Sequence, residues 1–354
     1  MEEKKDTLGM LDLVIRPGFC VKENQIIKVN QAAESLFITP GTDVRSLLLT
    51  GSEEYAAFTG GCLYLTLNLS SHSCGASVTR VDDIDVFLLE QESDNGELRS
   101  MALAARELRE PLTNVMITAD SLFPLCAAES SPRTAEQVAR LNRGLFQILR
   151  IIGNMSDAER CAAVSHQETV DIPALFAEFF EKAEALVSHT GITLTYEGPD
   201  QPIYGLADRE QLERAVLNIL SNAIKFTPKG GTVTAKLTRS GRMLRLSVTD
   251  SGSGIAQSVR SSVFSRYLRQ PALEDSRYGI GLGMVLIRTA AAHHGGAVLI
   301  DQPEGVGTRI TMTMLIRQSK QATLRSNVLR VDYAGERDHG LIELSECLPT
   351  ELYE

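Results

Sequence analysis

Leu98, Met101, Ala105, Leu108, Leu112, Val115, Ala119 and Leu122 recur at alternating steps of three and four residues, and so do Val138, Leu141, Leu145, Ile148, Ile152 and Met155. That spacing is a coiled-coil seam. It demands two long helices, each with one apolar stripe that needs a partner. Ser130-Ser131-Pro132 interrupts the pattern between them, because proline lacks an N–H and cannot sit inside a helix without breaking a bond. The two helices are therefore expected to fold back as an antiparallel hairpin. Two seams bury too little apolar surface alone, so dimerisation into a four-helix bundle is the expected completion. Pro111 lies inside the first helix and predicts a kink there.

The flanks have other periods. From Leu11 to about Gln91 short apolar runs alternate with Gly and Ser. Leu13-Val14-Ile15, Ile26-Ile27-Lys28-Val29, Leu63-Tyr64-Leu65-Thr66-Leu67 and Val86-Phe87-Leu88-Leu89 read as strands, with a short helix from Gln31 to Phe37. Residues 8–91 are expected to form a small α+β module and residues 92–166 the hairpin. Residues 170–317 mix helices and strands. Helices are expected from Asp171-Ile172-Pro173 to Ser188, from Asp208 to Phe226 and from Val285 to His293. Strands are expected at Thr193–Tyr196, Val233–Leu237, Met243–Thr249, Ala297–Ile300 and Arg309–Leu315. Residues 318–354 form a polar, acidic extension with one apolar patch, Leu341-Ile342-Glu343-Leu344.

Charge and cysteine usage narrow the partners. Lys and Arg total 35 against 45 Asp and Glu, a net charge of -10. An acidic balance argues against nonspecific nucleic-acid binding. No run approaches the length of a membrane span, and Met1 to Thr7 is charged, with no signal-peptide core. Cys20, Cys62, Cys74, Cys126, Cys161 and Cys347 are scattered without a Cys-x-x-Cys pair, which suits reduced thiols in a cytoplasmic protein.

Three constellations carry chemistry. On the helix from Asp208, Leu212, Val216, Ile219, Leu220 and Ala223 make the buried stripe. Asn218, Asn222 and Lys225 fall at spacings of four and three on a face roughly opposite. Amide oxygens and an ammonium on one face suit a magnesium–phosphate group, although a solvated face with ordinary Asn residues fits the spacing too. In the strand ending at Asp250, Leu244, Leu246, Val248 and Asp250 alternate, so the buried face ends in a carboxylate that needs a donor. An exocyclic amine of adenine would serve, with Gly252 and Gly254 admitting close approach. Gly279-Ile280-Gly281-Leu282-Gly283 precedes a helix, where free backbone N–H groups favour phosphate. No Gly-x-x-x-x-Gly-Lys-[Ser/Thr] occurs, so a P-loop is excluded.

In this order the motifs resemble the ATP-binding domain shared by histidine kinases, gyrase, Hsp90 and MutL, and in detail that of the two-component sensor histidine kinases. Val216 to Pro228 resembles their N box, Asp250 to Gly254 the first glycine box, Val263 to Tyr267 the F box, Gly279 to Gly283 the second glycine box, and Gly305 to Thr308 the closing Gly-Thr element. The resemblance implies an α+β multidomain chain: a PAS-like α+β module, a dimeric helical hairpin, and an α/β sandwich that binds ATP and Mg2+. It implies that Asn222 with Asn218 holds magnesium and that Lys225 touches the phosphates. Phe226 would lie against adenine and Asp250 would accept its amine. Gly279, Gly281, Leu282 and Gly283 would flank the triphosphate, Thr308 would support the adenine pocket, and residues 255–278 would form the lid. Arg260, Arg266 and Arg269 of that lid could reach phosphates, although for any one of them a place on the solvated surface is the first expectation. Asn30-Gln31-Ala32-Ala33-Glu34-Ser35-Leu36-Phe37 after a strand resembles a PAS sensor domain.

The hairpin departs from the family at one position. The motif His-Glu-Leu-Arg-x-Pro-Leu reads Arg106-Glu107-Leu108-Arg109-Glu110-Pro111-Leu112. A guanidinium does not deprotonate in proteins and cannot act as a nucleophile. Glu110 stands where phosphatase-competent members carry Thr or Asn, and Glu107 is expected to pair with a cation on the helix surface. None of His72, His166, His189, His293, His294 and His339 lies on the first long helix. The expectation is a homodimer that binds Mg-ATP, does not autophosphorylate at the usual position, and regulates a response regulator or another kinase. One rival is an active kinase that phosphorylates a partner's Ser or His in trans. The other is a dimeric scaffold without nucleotide.

Overall fold

The computed structural model describes residues 9, 11–69, 72–90, 93–128, 132–163, 166–255, 263–264, 282–303, 307–318 and 337–353. The N-terminal module contains strands β1 (Gly18–Lys22), β2 (Gln25–Val29), β3 (Cys62–Asn68), β4 (Ser73–Val81) and β5 (Ile84–Leu89). Two short helices, α1 (Gln31–Glu34) and α2 (Ser52–Ala56), lie between β2 and β3. Phe19 stacks on Phe87 with ring centroids 4.7 Å apart, and Tyr55 meets Phe87 edge-on at 5.5 Å. The expected strand at Leu13-Val14-Ile15 is not one; β1 begins at Gly18. The cause is Asn30. Its Nδ2 donates to the carbonyls of Val14 and Arg16, and its Oδ1 accepts from Gly18 and Ala33. The carbonyls that a ladder would use thus serve a buried side chain, and Pro17 has no N–H to give.

Helices α3 (Ser93–Ala128) and α4 (Pro132–Ala163) pack along each other, and Pro111 lies within the unbroken α3. Ala105, Leu112, Met116, Leu149 and Ile152 form their common core. The single seam expected on α3 is split: Ala105, Leu112 and Ala119 are buried, whereas Leu108, Val115 and Leu122 are each 51% exposed. On α4, Leu141 and Ile148 are also exposed.

The third region contains β6 (Glu168–Asp171), α5 (Ile172–Val187), β7 (Thr193–Glu197), β8 (Tyr204–Ala207), α6 (Arg209–Phe226), β9 (Thr232–Ser240), β10 (Met243–Asp250), α7 (Leu282–His293), β11 (Val298–Asp301) and β12 (Arg309–Leu315). In β9 and β10 alternate residues face inward; Val233, Ala235, Leu237, Leu244, Leu246 and Val248 meet α5, α6 and α7 in the largest core. The short pair β6–β8 was not expected from sequence.

One sheet runs through both globular parts, in the order β2-β1-β5-β4-β3-β11-β12-β10-β9-β7. β3 pairs antiparallel with β11, with Tyr64 opposite Val298 and Leu63 opposite Leu299. Each strand would otherwise be an open edge. Leu63 and Leu65 face the N-terminal core, whereas Cys62 and Tyr64 face the core beneath α7. That accounts for the nearly unbroken apolar run of β3, since both faces are buried. Arg288 of α7 reinforces the junction: it pairs with Glu90 just after β5, lies 4.9 Å over the Tyr64 ring and donates to the Phe264 carbonyl.

The extension expected beyond residue 318 is part of the fold from Arg337 onward. Helix α8 (His339–Glu343) and a 3-10 turn (Thr350–Tyr353) pack on α4, α5 and α6. Ile342 enters the hairpin core, and Leu344, Leu348 and Tyr353 enter the core of the third region. Among the described residues no helix is long and apolar enough to cross a membrane.

Candidate functional site

Asp208 starts α6 and fixes its neighbours. Its Oδ1 caps the Gln211 N–H at 3.1 Å, its Oδ2 accepts from the His166 N–H, and its own N–H donates to His294 Nε2 at 3.0 Å. His294 Nδ1 lies 2.7 Å from the Ala290 carbonyl, so Nδ1 carries the proton and the ring is neutral. Burial holds the His294 pKa below its ordinary value. The imidazole pins α7 to the start of α6, a structural role.

Leu212, Val216, Ile219, Leu220 and Ala223 bury one side of α6. The opposite side is not an open, solvated face. Asn218 is 1% exposed, and residues 343–347 lie over it. Its Nδ2 donates to the Arg214 carbonyl at 2.9 Å and to Glu343 Oε2 at 3.4 Å. A Cβ at Gly283 would stand 2.8 Å from Asn218 Oδ1, so glycine is what lets α7 come this close. Asn222 Nδ2 faces Met284 Sδ at 3.9 Å. Lys225 Nζ forms an ion pair with Glu346 at 2.7 Å.

Asp250 ends β10 and is 7% exposed. Its Oδ1 accepts the N–H groups of Gly252 at 2.8 Å and Thr308 at 3.2 Å. Both of these bonds fall on one oxygen, and the Thr308 hydroxyl adds a side-chain hydrogen bond to the same carboxylate. Burial raises the Asp250 pKa, and the two N–H groups and the Thr308 hydroxyl only partly oppose it. Three chain segments converge here because two residues lack side chains. A Cβ at Gly252 would lie 2.4 Å from the Phe226 carbonyl, and one at Gly307, where φ is 106°, would lie 1.8 Å from the Asp250 carbonyl.

The predicted residues thus fall in two groups along α6: Phe226, Asp250, Gly252 and Thr308 at its end, and Asn218, Asn222, Lys225 and Gly283 along its outer side. Gly254 follows in a left-handed turn with φ 75°. Leu282 opens α7 and packs with Val285 against Met101 and Met155 of the hairpin. Gly279, Gly281, Arg260, Arg266 and Arg269 lie outside the described residues, as does most of the expected lid. Arg106, Glu107 and Glu110 are exposed on α3. Sequence reasoning missed Arg150, Arg214, Glu343, Glu346 and Cys347. The available signal was the apolar patch around Glu343, which marks a docked segment in an otherwise polar tail but does not name the surface it docks on.

Residues 207–318 match the family model described as histidine kinase-, DNA gyrase B-, and HSP90-like ATPase. An uncharacterized sensor-like histidine kinase of Rhizobium meliloti (strain 1021) is 29% identical over 276 residues, 73% of this chain and 52% of that protein. The adaptive-response sensory kinase SasA of Synechocystis sp. (strain ATCC 27184 / PCC 6803 / Kazusa) is 29% identical over 262 residues, 70% of this chain and 67% of that protein. The chain therefore spans about half the length of the first relative and about two thirds of the second. Full-length ShkA, crystallised with AMPPNP, shares the fold with a TM-score of 0.51 and 23% identity, covering 70% of this chain and 54% of ShkA.

Proposed function

We propose, from the premise that this chain carries the ATP-binding domain of the two-component sensor histidine kinases, that it binds Mg-ATP and signals without phosphorylating itself at the usual position. The observation that carries the reading is the Asp250 cradle: a buried carboxylate at the end of β10, oriented by two backbone N–H groups and by the Thr308 hydroxyl. That geometry fits the exocyclic amine of adenine. Phe226 would lie beside the ring and Thr308 would hold the carboxylate in place. Asn222 and Asn218 would offer amide oxygens to Mg2+, Lys225 would neutralise phosphate oxygens, and Gly279, Gly281, Leu282 and Gly283 would flank the triphosphate. Bound Mg-ATP would supply binding energy that differs between two arrangements of the domains, which is what shifts a conformational equilibrium.

The acceptor side supports the negative half of the proposal. Arg106 is exposed on α3, and its guanidinium has no lone pair to attack a phosphorus atom. With γ-labelled ATP the wild-type chain is expected to take no label, and Arg106→His to gain an acid-labile one. Acid-labile label on the wild-type chain would sink this reading, and label on a partner's Ser or His would favour the kinase acting in trans.

The exposed seam supports a homodimer. Leu108, Val115 and Leu122 lie seven residues apart on one stripe of α3, with Leu141 and Ile148 on α4, and a second copy of the hairpin would bury them as a four-helix bundle. Leu108→Asp with Val115→Asp is expected to halve the mass seen by light scattering; an unchanged mass would remove the bundle. Residues 8–91 would act as a PAS-like sensor, a reading supported by the antiparallel order β2-β1-β5-β4-β3. The Glu90–Arg288 pair would connect that sensor to α7. A response regulator or another kinase would read the change, in the cytoplasm.

A further inference from the structure

We propose that the C-terminal segment 337–353 is a built-in competitor of Mg-ATP, whose Glu343 and Glu346 carboxylates hold the cationic groups that the nucleotide's phosphates would otherwise engage. This rests on the reading that the outer side of α6 takes Mg-ATP. The juxtaposition is specific. Glu343 is fully buried and meets Arg214 at 3.2 Å, Arg150 at 3.3 Å and the Asn218 amide at 3.4 Å. Glu346 meets Lys225 at 2.7 Å and Arg150 at 3.2 Å. Asn218 and Lys225 are the residues on which phosphate and magnesium were expected.

The segment is built to stay in place. Arg143 donates to the carbonyls of Ser345 and Glu346, Asn142 donates to the Tyr353 carbonyl, and Tyr353 meets Phe146 edge-on at 5.2 Å. Cys347 Sγ sits 3.4 Å from the Ser221 carbonyl, against α6. Two carboxylates and a triphosphate in one small space repel each other. Phosphate oxygens that reach Lys225 therefore displace Glu346, and the cations they re-pair stay compensated as the 343–347 stretch lifts off α6. The apparent affinity for nucleotide is then lowered by the small fraction of molecules in which the segment is lifted.

Three measurements on the full chain and its variants test this. Titration with Mg-ATP should show binding about tenfold tighter or more for Glu346→Gln, and for a chain ended after residue 336, than for wild type. Because the shortened chain exposes apolar core and risks misfolding, Glu346→Gln decides where it fails to fold. In wild type, Mg-ATP should speed alkylation of Cys347 by N-ethylmaleimide, read by mass spectrometry, and leave the buried Cys20 and Cys62 unchanged. Equal affinities in wild type and Glu346→Gln, or saturating Mg-ATP with no change at Cys347, overturn the competitor while sparing the nucleotide site. Absence of Mg-ATP binding in every variant overturns both.

Discussion

Glu343→Ala is expected to cost about 3–5 kcal/mol of folding stability, read as a lower urea midpoint with an unchanged slope. The carboxylate is fully buried between Arg150 and Arg214, whose own side chains are nearly inaccessible. Removing it leaves two guanidinium groups in a low-dielectric site with lost compensation, which costs more than the pair itself contributes. Arg150→Met, Arg214→Met and Glu343→Leu together are expected to recover most of that loss, because an apolar cluster has no desolvation penalty to offset. A Glu343→Ala chain as stable as wild type would mean that the segment does not dock in solution. Glu346 adds a pH dependence. Burial pushes its carboxyl up, but Arg150 and Lys225 together pull it below the ordinary carboxylate range. Its contribution is present above the unfolded-state pKa and is lost as the pH falls through the lower folded value.

The second large effect separates binding from folding. Asp250→Asn is expected to abolish stabilisation by Mg-ATP, which in wild type should reach about 2.7 kcal/mol at a hundredfold excess over Kd. An asparagine can still accept from Gly252 and Thr308 through its oxygen, but its amide presents donors where the adenine amine also donates. The free variant should melt no lower than wild type at neutral pH. Burial raises the Asp250 pKa, so this group favours the fold fully only below its unfolded-state pKa and loses that contribution as pH rises through the folded value. The variant's advantage should therefore shrink as the pH is lowered and Asp250 takes up its proton. An Asp250→Asn chain that responds to Mg-ATP like wild type would remove Asp250 from the site.

Local chemistry made much of this legible in advance. Asp208 as a helix cap, the inward alternation of Leu244, Leu246, Val248 and Asp250, and the helical stripe of α6 each depend on residues within a few positions of one another. The failures have a common cause. Leu13-Val14-Ile15 carries strand-like residues, but the Val14 carbonyl is captured by Asn30, a residue 16 positions away. The seam of α3 reads as one stripe, yet a single hairpin can cover only half of it. The run in β3 gives no hint that its two faces belong to different cores, because that follows from pairing with β11 more than two hundred residues away.

The sequence by itself determined the periods of the helices and strands, the order of the nucleotide-site motifs, and the guanidinium at position 106, whose chemistry no fold can change. Only the tertiary structure decided what lies against the polar side of α6. Glu343 and Asn218 are 125 positions apart, and Lys225 and Glu346 are 121. Charge pairing over such separations depends on which surfaces the apolar cores bring together, and no local spacing encodes it.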